Sequence, residues 1–489
     1  MCAMSLPRST PEKQGISSGS ILRFLKDVQG TNLGLHSIMV LRHGHVVAEG
    51  WWHPYDKDQP HMLFSMTKSF TAIATGFAVS EGLLSVEDQV ASFFSELFHE
   101  EFSEALAALR IKHLLTMSVG HAKATMGQEL RQLTGSWVEH FFSIPIDHAP
   151  GSRFVYNTLA THIISAVIQK VTGMKMSDYL QPRLFDPLGI PKPEWQISPD
   201  GNNTGGGGLK LRTEEIAKFG QFLLQKGVWE GERLLPEEWI EKVSSFQIKN
   251  GENNQNDSEQ GYGYQFWRCR HGAFRADGAF GQLCIVMPDQ DAVVAITSGV
   301  DLSTGSKQIL SLIWTHLLPS MKSQPIAEEE ELVTRLQEKL SGLSVLFPSP
   351  TIDTSPIISK ISGKWYAMDK NEDHVKEIAI LFEQDCCLFI MRDHEGEHQI
   401  SCGFREWIHG STTMTGKALH FQYQPPVMSV CGRAAWKDQH TLVLTWCFVE
   451  MPFTDTVICR FTEDQVRLER SANVSGIDRE RPAIVGALA

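Results

Sequence analysis

The sequence predicts an α+β protein in two parts. The first is an antiparallel sheet flanked by helices, with a helical subdomain; the second is a small all-β, barrel-like domain. Three observations carry this. At 489 residues the chain exceeds what one hydrophobic core fills. Up to about residue 318, helical periodicities alternate with strand pairs. After residue 357 only short alternating segments remain.

The elements follow in order. Ser17 or Ser18 can cap a helix over 14–28, where Ile21, Leu22, Leu25 and Val28 recur at helical spacing. Leu35–Arg42 and Val46–Trp52 flank His43-Gly44-His45 and read as a hairpin at a sheet edge. A helix runs from Ser65 to about Glu81, ended by Gly82. Further helices are expected over 110–117, 159–172, 212–226, 236–244 and 309–318, with Gly205–Gly208 a flexible loop. Gln282–Met287 and Ala292–Thr297 form an antiparallel pair across Pro288-Asp289. Residues 328–340 are acidic at the start and basic at the end, which suits a helix dipole. Pro348, Pro350 and Pro356 then mark a linker. Ile378–Phe382, Cys387–Ile390, Leu419–Tyr423 and Thr441–Trp446 read as strands. The expected division is a domain over 1–325, a helix and Pro-rich linker over 326–356, a β domain over 357–475 and a mobile tail over 476–489.

Composition narrows the partners. Hydrophobic content of 42% and charged content of 21% are ordinary for a globular chain. A net charge of -13 disfavours phosphate backbones and anionic lipid surfaces, so neither nucleic acid nor membrane is an expected partner. No run of about 18 apolar residues exists to span a membrane. Met1 to Ser18 is polar and lacks the apolar core of a secretory leader, so a cytoplasmic location is expected. The nine cysteines, with no Cys-x-x-Cys spacing, read as reduced thiols.

Ser65-Met-Thr-Lys68 carries the chemistry. The tetrad alone is short enough to recur by chance, and its ordinary reading is a helix-capping serine with a solvent lysine. Its setting argues otherwise, because it opens the strongly apolar run Phe70–Val79. Three residues on, Lys68 shares the serine's face of the helix. Desolvated there, its ammonium becomes easier to deprotonate, and a neutral amine can take the hydroxyl proton.

Three further segments occur in order with it: Leu114-Leu-Thr-Met-Ser-Val-Gly120, Pro150-Gly-Ser-Arg-Phe-Val-Tyr156-Asn-Thr158 and Asp277-Gly-Ala-Phe-Gly281. With these, the stretch over about 10–318 resembles serine hydrolases related to class C β-lactamases. That family includes penicillin-binding peptidases, esterases, D-aminopeptidases and aminohexanoate-dimer hydrolases. The resemblance implies a β-lactamase/transpeptidase-like fold and acyl transfer without a metal or organic cofactor. It implies Ser65 as nucleophile, Lys68 as base and Tyr156 as proton relay to the leaving group. It also implies an oxyanion hole from the backbone N–H groups of Ser65 and Ala279, the latter on the facing strand. Thr158, Asp277 and Gly278 then fall at substrate-binding positions.

Two departures from the family pattern matter. Tyr-x-Asn is here Tyr156-Asn157-Thr158, and the Lys-Thr-Gly or His-Thr-Gly triplet is Ala276-Asp277-Gly278. The cation that would receive a substrate carboxylate is missing. Small uncharged esters, amides or short peptides are therefore the expected substrates, and those with an amine near the scissile bond fit better than β-lactams. A homo-oligomer is compatible with the sequence. The alternative is a penicillin-binding-like protein that is acylated but turns over slowly, as a binding or sensor module. A third reading gives the C-terminal β domain the main role, since Ser362-Gly-Lys-Trp-Tyr366 resembles the opening of lipocalin-like barrels.

Two motifs are set aside. Gly15-Ile-Ser-Ser-Gly19 fits a nucleophile elbow but lacks the hydrophobic strand before it. His394-Glu-Gly-Glu-His398 fits a zinc-protease helix, yet Gly396 interrupts it and strands flank it, so a hairpin turn is expected. His162 reads as a structural histidine.

Overall fold

The computed structural model describes residues 5–98, 103–125, 130, 133–347, 349–414, 416–420, 425–462, 464–475 and 479–489. Its first layer is a six-stranded sheet. The strands are β1 (Leu35–Arg42), β2 (His45–Trp51), β3 (Trp267–Arg268), β4 (Phe274–Gly278), β5 (Gln282–Met287) and β6 (Ala292–Ser298). They lie in the order β2-β1-β6-β5-β4-β3, each neighbour antiparallel. The termini of this unit thus meet at the sheet centre, where Val40 faces Val294 and Val294 faces Ile285.

Every residue of β1, β5 and β6 is buried, so the sheet is covered on both faces. The alternation of side chains sorts them into two clusters. Met39, Leu41, Cys284, Val293 and Ala295 join the larger one, beneath the helix Thr213–Leu224. Ile38, Val40, Ile285, Val294 and Ile296 join the other. That face is closed by α1 (Ser18–Gly30), by Gly305–Leu312 and by Glu330–Ser341, which lies along α1 and β2. Ser17 caps α1 through the Gly19 N–H at 3.2 Å.

The helix α2 (Thr67–Ser80) runs through the larger core and is buried from Thr67 to Ala78. It packs against α3 (Thr158–Thr172) of the helical subdomain. Gly76 is required by this burial, since a Cβ there would overlap the Trp239 indole, whose Nε1 donates to the Ala72 carbonyl at 3.1 Å.

The C-terminal sheet closes on itself. Its strands are β7 (Trp365–Met368), β8 (Glu377–Phe382), β9 (Cys386–Arg392), β10 (Glu397–Gly403), β11 (Ile408–Thr412), β12 (Met428–Asp438), β13 (Thr441–Phe448), β14 (Thr454–Phe461), β15 (Gln465–Ala472) and β16 (Glu480–Leu488). A parallel contact of β10 with β12 completes a ring of strands, and β11 pairs on β12 outside it. Closure removes the exposed edges that an open sheet would leave. Trp436, Trp446, Phe389, Leu444 and Leu468 fill the interior.

Several expectations need correction. The tail expected to be mobile contains β16, which pairs with both β7 and β15 and closes the ring. The segment expected as the strand Leu419–Tyr423 is a helical turn over Lys417–His420; residues 421–424 lie outside the described residues. The helix expected over 309–318 starts four residues earlier, at Gly305. Gly205–Gly208 is a packed loop rather than a flexible one. A Cβ at Gly205 would overlap the Thr161 carbonyl, and one at Gly206 would approach Thr158 Cγ2 at 2.6 Å. No helix among the described residues is long and apolar enough to cross a membrane.

Candidate active site

The Ser65 region begins with a short antiparallel pair, His61–Met62 against Lys210–Leu211. Beyond it the chain tightens into a 3₁₀ turn over Phe64–Met66 and opens into α2. Ser65 therefore sits at the positive end of α2, one turn before its regular part. Phe64 enters this turn with φ of 49°, a left-handed conformation unfavourable for an aromatic residue.

Lys68 is buried, and its Nζ donates to Ser65 Oγ at 2.8 Å and to the Gly206 carbonyl at 2.8 Å. No carboxylate among the described residues forms an ion pair with it. Burial alone pulls its ammonium down to about 7. The desolvation expected from its place on the helix is thus carried to full burial. The Gly206 carbonyl, which sequence reasoning missed, fixes the amine on the serine.

Tyr156 lies just before α3, whose N-cap is Asn157; the Asn157 side chain accepts from the Ala160 N–H at 2.8 Å and from the Thr125 hydroxyl. Its ring stands 5.0 Å from Lys68 Nζ and stacks on Trp267 at 5.8 Å. Its phenol reaches the Ser65 hydroxyl. Burial drives that phenol well above its ordinary range, so the neutral, proton-donating form prevails. Thr158 opens α3, its methyl set beside Gly206.

Asp277 and Gly278 end β4. Ala279 lies in the β4–β5 turn rather than on the strand, followed by Phe280 with φ of 64°. Gly278 passes so close to the Ser65 segment that a Cβ would overlap the Leu63 carbonyl oxygen. This contact brings Ala279 to the Ser65 turn. Gln282, wholly buried, donates from Nε2 to the Ala279 carbonyl at 3.1 Å and to the Ser298 carbonyl at 2.7 Å, which orients the Ala279 peptide.

One correction concerns charge. Asp277 is not a lone acid beside a missing cation. Arg275, two residues earlier on the same face of β4, donates from Nε to Asp277 Oδ2 at 2.6 Å and is itself buried. Sequence reasoning overlooked it because a buried arginine on a strand carries no local signature. Gln265 is a second such residue. It is buried, accepts from the Thr161 hydroxyl at 3.0 Å through its side chain and from the Ser69 hydroxyl at 2.9 Å through its backbone, and so ties α2 to α3.

His162 and the rejected motifs lie elsewhere. His162 is buried on α3 beside Asp200 at 3.4 Å. Gly396 takes φ of 146° in the tight turn between β9 and β10.

Comparison with known proteins supplies the context. A family model described as Beta-lactamase matches residues 34–309. The 6-aminohexanoate-dimer hydrolase of Paenarthrobacter ureafaciens is 21% identical over 53% of this chain and 71% of its own. The lovastatin esterase of Penicillium rubens is 28% identical over 28% of this chain and 40% of its own. Among solved structures, a provisionally named 6-aminohexanoate-dimer hydrolase from Bacillus anthracis superposes with a TM-score of 0.54 at 20% identity, covering 66% of this chain and 90% of that one. The superposition speaks to fold alone.

Proposed function

The chain belongs to the Beta-lactamase family, a family of hydrolases, and from that premise we propose that it hydrolyses small esters or amides through an acyl-enzyme on Ser65. The observation that carries this reading is the buried Lys68 amine, without an acidic partner among the described residues, 2.8 Å from the Ser65 hydroxyl oxygen.

The steps follow from the groups. Neutral Lys68 takes the Ser65 proton as Oγ attacks the carbonyl carbon. The backbone N–H groups of Ser65 and Ala279 receive the oxyanion. Tyr156, held in its phenol form, gives a proton to the departing alcohol or amine. The proton on Lys68 then passes to the Tyr156 phenolate, which restores both groups; neutral Lys68 takes a proton from the water that attacks the acyl-enzyme and returns it to Ser65 Oγ as the acid departs. The C-terminal barrel and the sheet unit are read as two domains that meet beside this site.

In the test, wild type and Ser65→Ala are each given p-nitrophenyl acetate and butyrate while intact mass is followed. Turnover with an acyl adduct, both lost in Ser65→Ala, is the expected result. An adduct without turnover would favour the acylated sensor. Equal rates in both proteins and no adduct would reject Ser65 as nucleophile.

The Arg275–Asp277 pair sharpens the substrate class. Because Arg275 is committed to Asp277, it is not offered to a substrate carboxylate. Cephalosporins and peptides ending in a free carboxylate are expected to be cleaved at least about 10²-fold more slowly than matched neutral esters, a gap of about 3 kcal/mol. Equal kcat/KM for a carboxylate and its methyl ester would refute this.

A further inference from the structure

The turn Val449–Phe453 joins β13 to β14 at the end of the barrel that meets the Ser65 unit. Its backbone and side chains enter that unit at two points. The Met62 N–H donates to the Glu450 carbonyl at 2.8 Å. The Glu450 carboxylate accepts from Lys210 Nζ at 2.6 Å and from the Ser429 hydroxyl at 3.0 Å. Lys210 is the strand partner of Met62, three residues before Ser65.

The second point is aromatic. The Phe453 ring stands edge-on to Phe280 at 5.2 Å, and Phe280 stands edge-on to Phe64 at 5.4 Å. All three are buried, and Phe64 and Phe280 belong to the apolar cluster of the barrel rather than to either core of the sheet unit. Phe453 is backed in turn by His420, stacked on it at 4.0 Å and paired with Asp455 at 2.6 Å.

Phe64 and Phe280 are the two phenylalanines in left-handed backbone conformation among the described residues. One directly precedes Ser65 and the other directly follows Ala279, so each sets the peptide next to one oxyanion amide. Such conformations persist only where packing over-determines them. The barrel supplies that packing on both.

We propose that Phe453 is a positioning residue: the Val449–Phe453 turn wedges Phe64 and Phe280 and thereby aims the Ser65 and Ala279 amides at one point. The inference rests on the acyl-enzyme reading above. It makes the barrel part of the catalytic apparatus rather than a separate ligand-binding module.

The experiment uses the full chain. Wild type, Phe453→Leu, Phe453→Ala and Gly299→Ala are compared with Phe389→Leu, an equivalent truncation elsewhere in the barrel core. A methyl at Gly299 would overlap the Pro452 carbonyl and displace the turn from the sheet unit. The readouts are kcat and KM for p-nitrophenyl butyrate, the Ki of phenylboronic acid, which forms a tetrahedral adduct on a serine, and Tm. Phe453→Leu and Gly299→Ala are expected to lose about 10-fold, and Phe453→Ala about 10²-fold, in kcat and boronate affinity, with KM within about twofold. Phe389→Leu is expected to lose Tm and keep kcat. Phe453→Leu with wild-type kcat, or a loss that Phe389→Leu reproduces at equal Tm, would overturn the proposal while leaving the hydrolase standing. A wild type without turnover or adduct would overturn both.

Discussion

Lys68→Met is expected to abolish hydrolysis and to make the protein more stable. The activity loss follows from the missing base and should reach about 10²–10⁴-fold in kcat/KM. The gain in stability follows from burial. In the unfolded chain this amine titrates at its ordinary value of 10.5, and in the folded protein at about 7. Between those values the unfolded chain binds the extra proton, so stability rises with pH from about 7 to 10.5 and is lowest at and below 7. Each pH unit of that interval is worth about 1.4 kcal/mol. Methionine fills the same volume without the charge, and a gain on the order of 2–4 kcal/mol at pH 7 is expected. Urea unfolding at pH 6 and pH 10 checks both parts, because the advantage of Lys68→Met should shrink at the higher pH. A variant less stable than wild type at pH 6 would mean that the amine is better compensated than its two hydrogen bonds indicate. The wild-type rate supplies an independent reading: kcat/KM should fall about tenfold per pH unit below about 7, the limb of a base that must be neutral.

The parts of the site that were legible in the sequence are those with a local signature. Ser65 and Lys68 announce themselves because a polar tetrad opens a helix otherwise apolar all round, and such a helix is buried. Tyr156 is legible through the Asn157 cap and the helix after it. What stayed hidden depends on long-range geometry. Arg275 and Asp277 are two apart on a strand and must share a face, but nothing local says that this face of β4 is closed over the arginine. The Gly206 carbonyl acts through backbone, and backbone groups leave no trace in side-chain patterns. Strand β16 was missed for a related reason. It contains Glu480, Arg481 and Pro482, which argue against a strand, yet main-chain pairing on both sides holds it and Ile484 turns into the barrel core. The described start of the expected strand Leu419–Tyr423 erred the other way: Leu419 and His420 belong to a helical turn, which so short an alternation cannot exclude.

Gly278→Ala should be the most damaging small substitution in the site. A Cβ at position 278 would overlap the Leu63 carbonyl oxygen and stand 2.9 Å from Gln282 Cβ. Neither neighbour can yield cheaply. Leu63 is wholly buried and its N–H is bound to the Leu209 carbonyl at 2.9 Å, while Gln282 is pinned by its own bonds to Ala279 and Ser298. The strand must therefore move away from the Ser65 turn, and Ala279 moves with it. The cost in kcat is expected to be about 10²–10³-fold, the worth of one oxyanion donor. KM should change little, because the displaced amide acts on the transition state rather than on bound substrate. Gly30→Ala, where nothing lies within 4 Å of the added carbon, is the control and should keep full activity. If Gly278→Ala retains wild-type kcat while remaining folded, the β4–β5 turn does not contribute to the oxyanion hole, and the donor facing Ser65 must be sought on another segment.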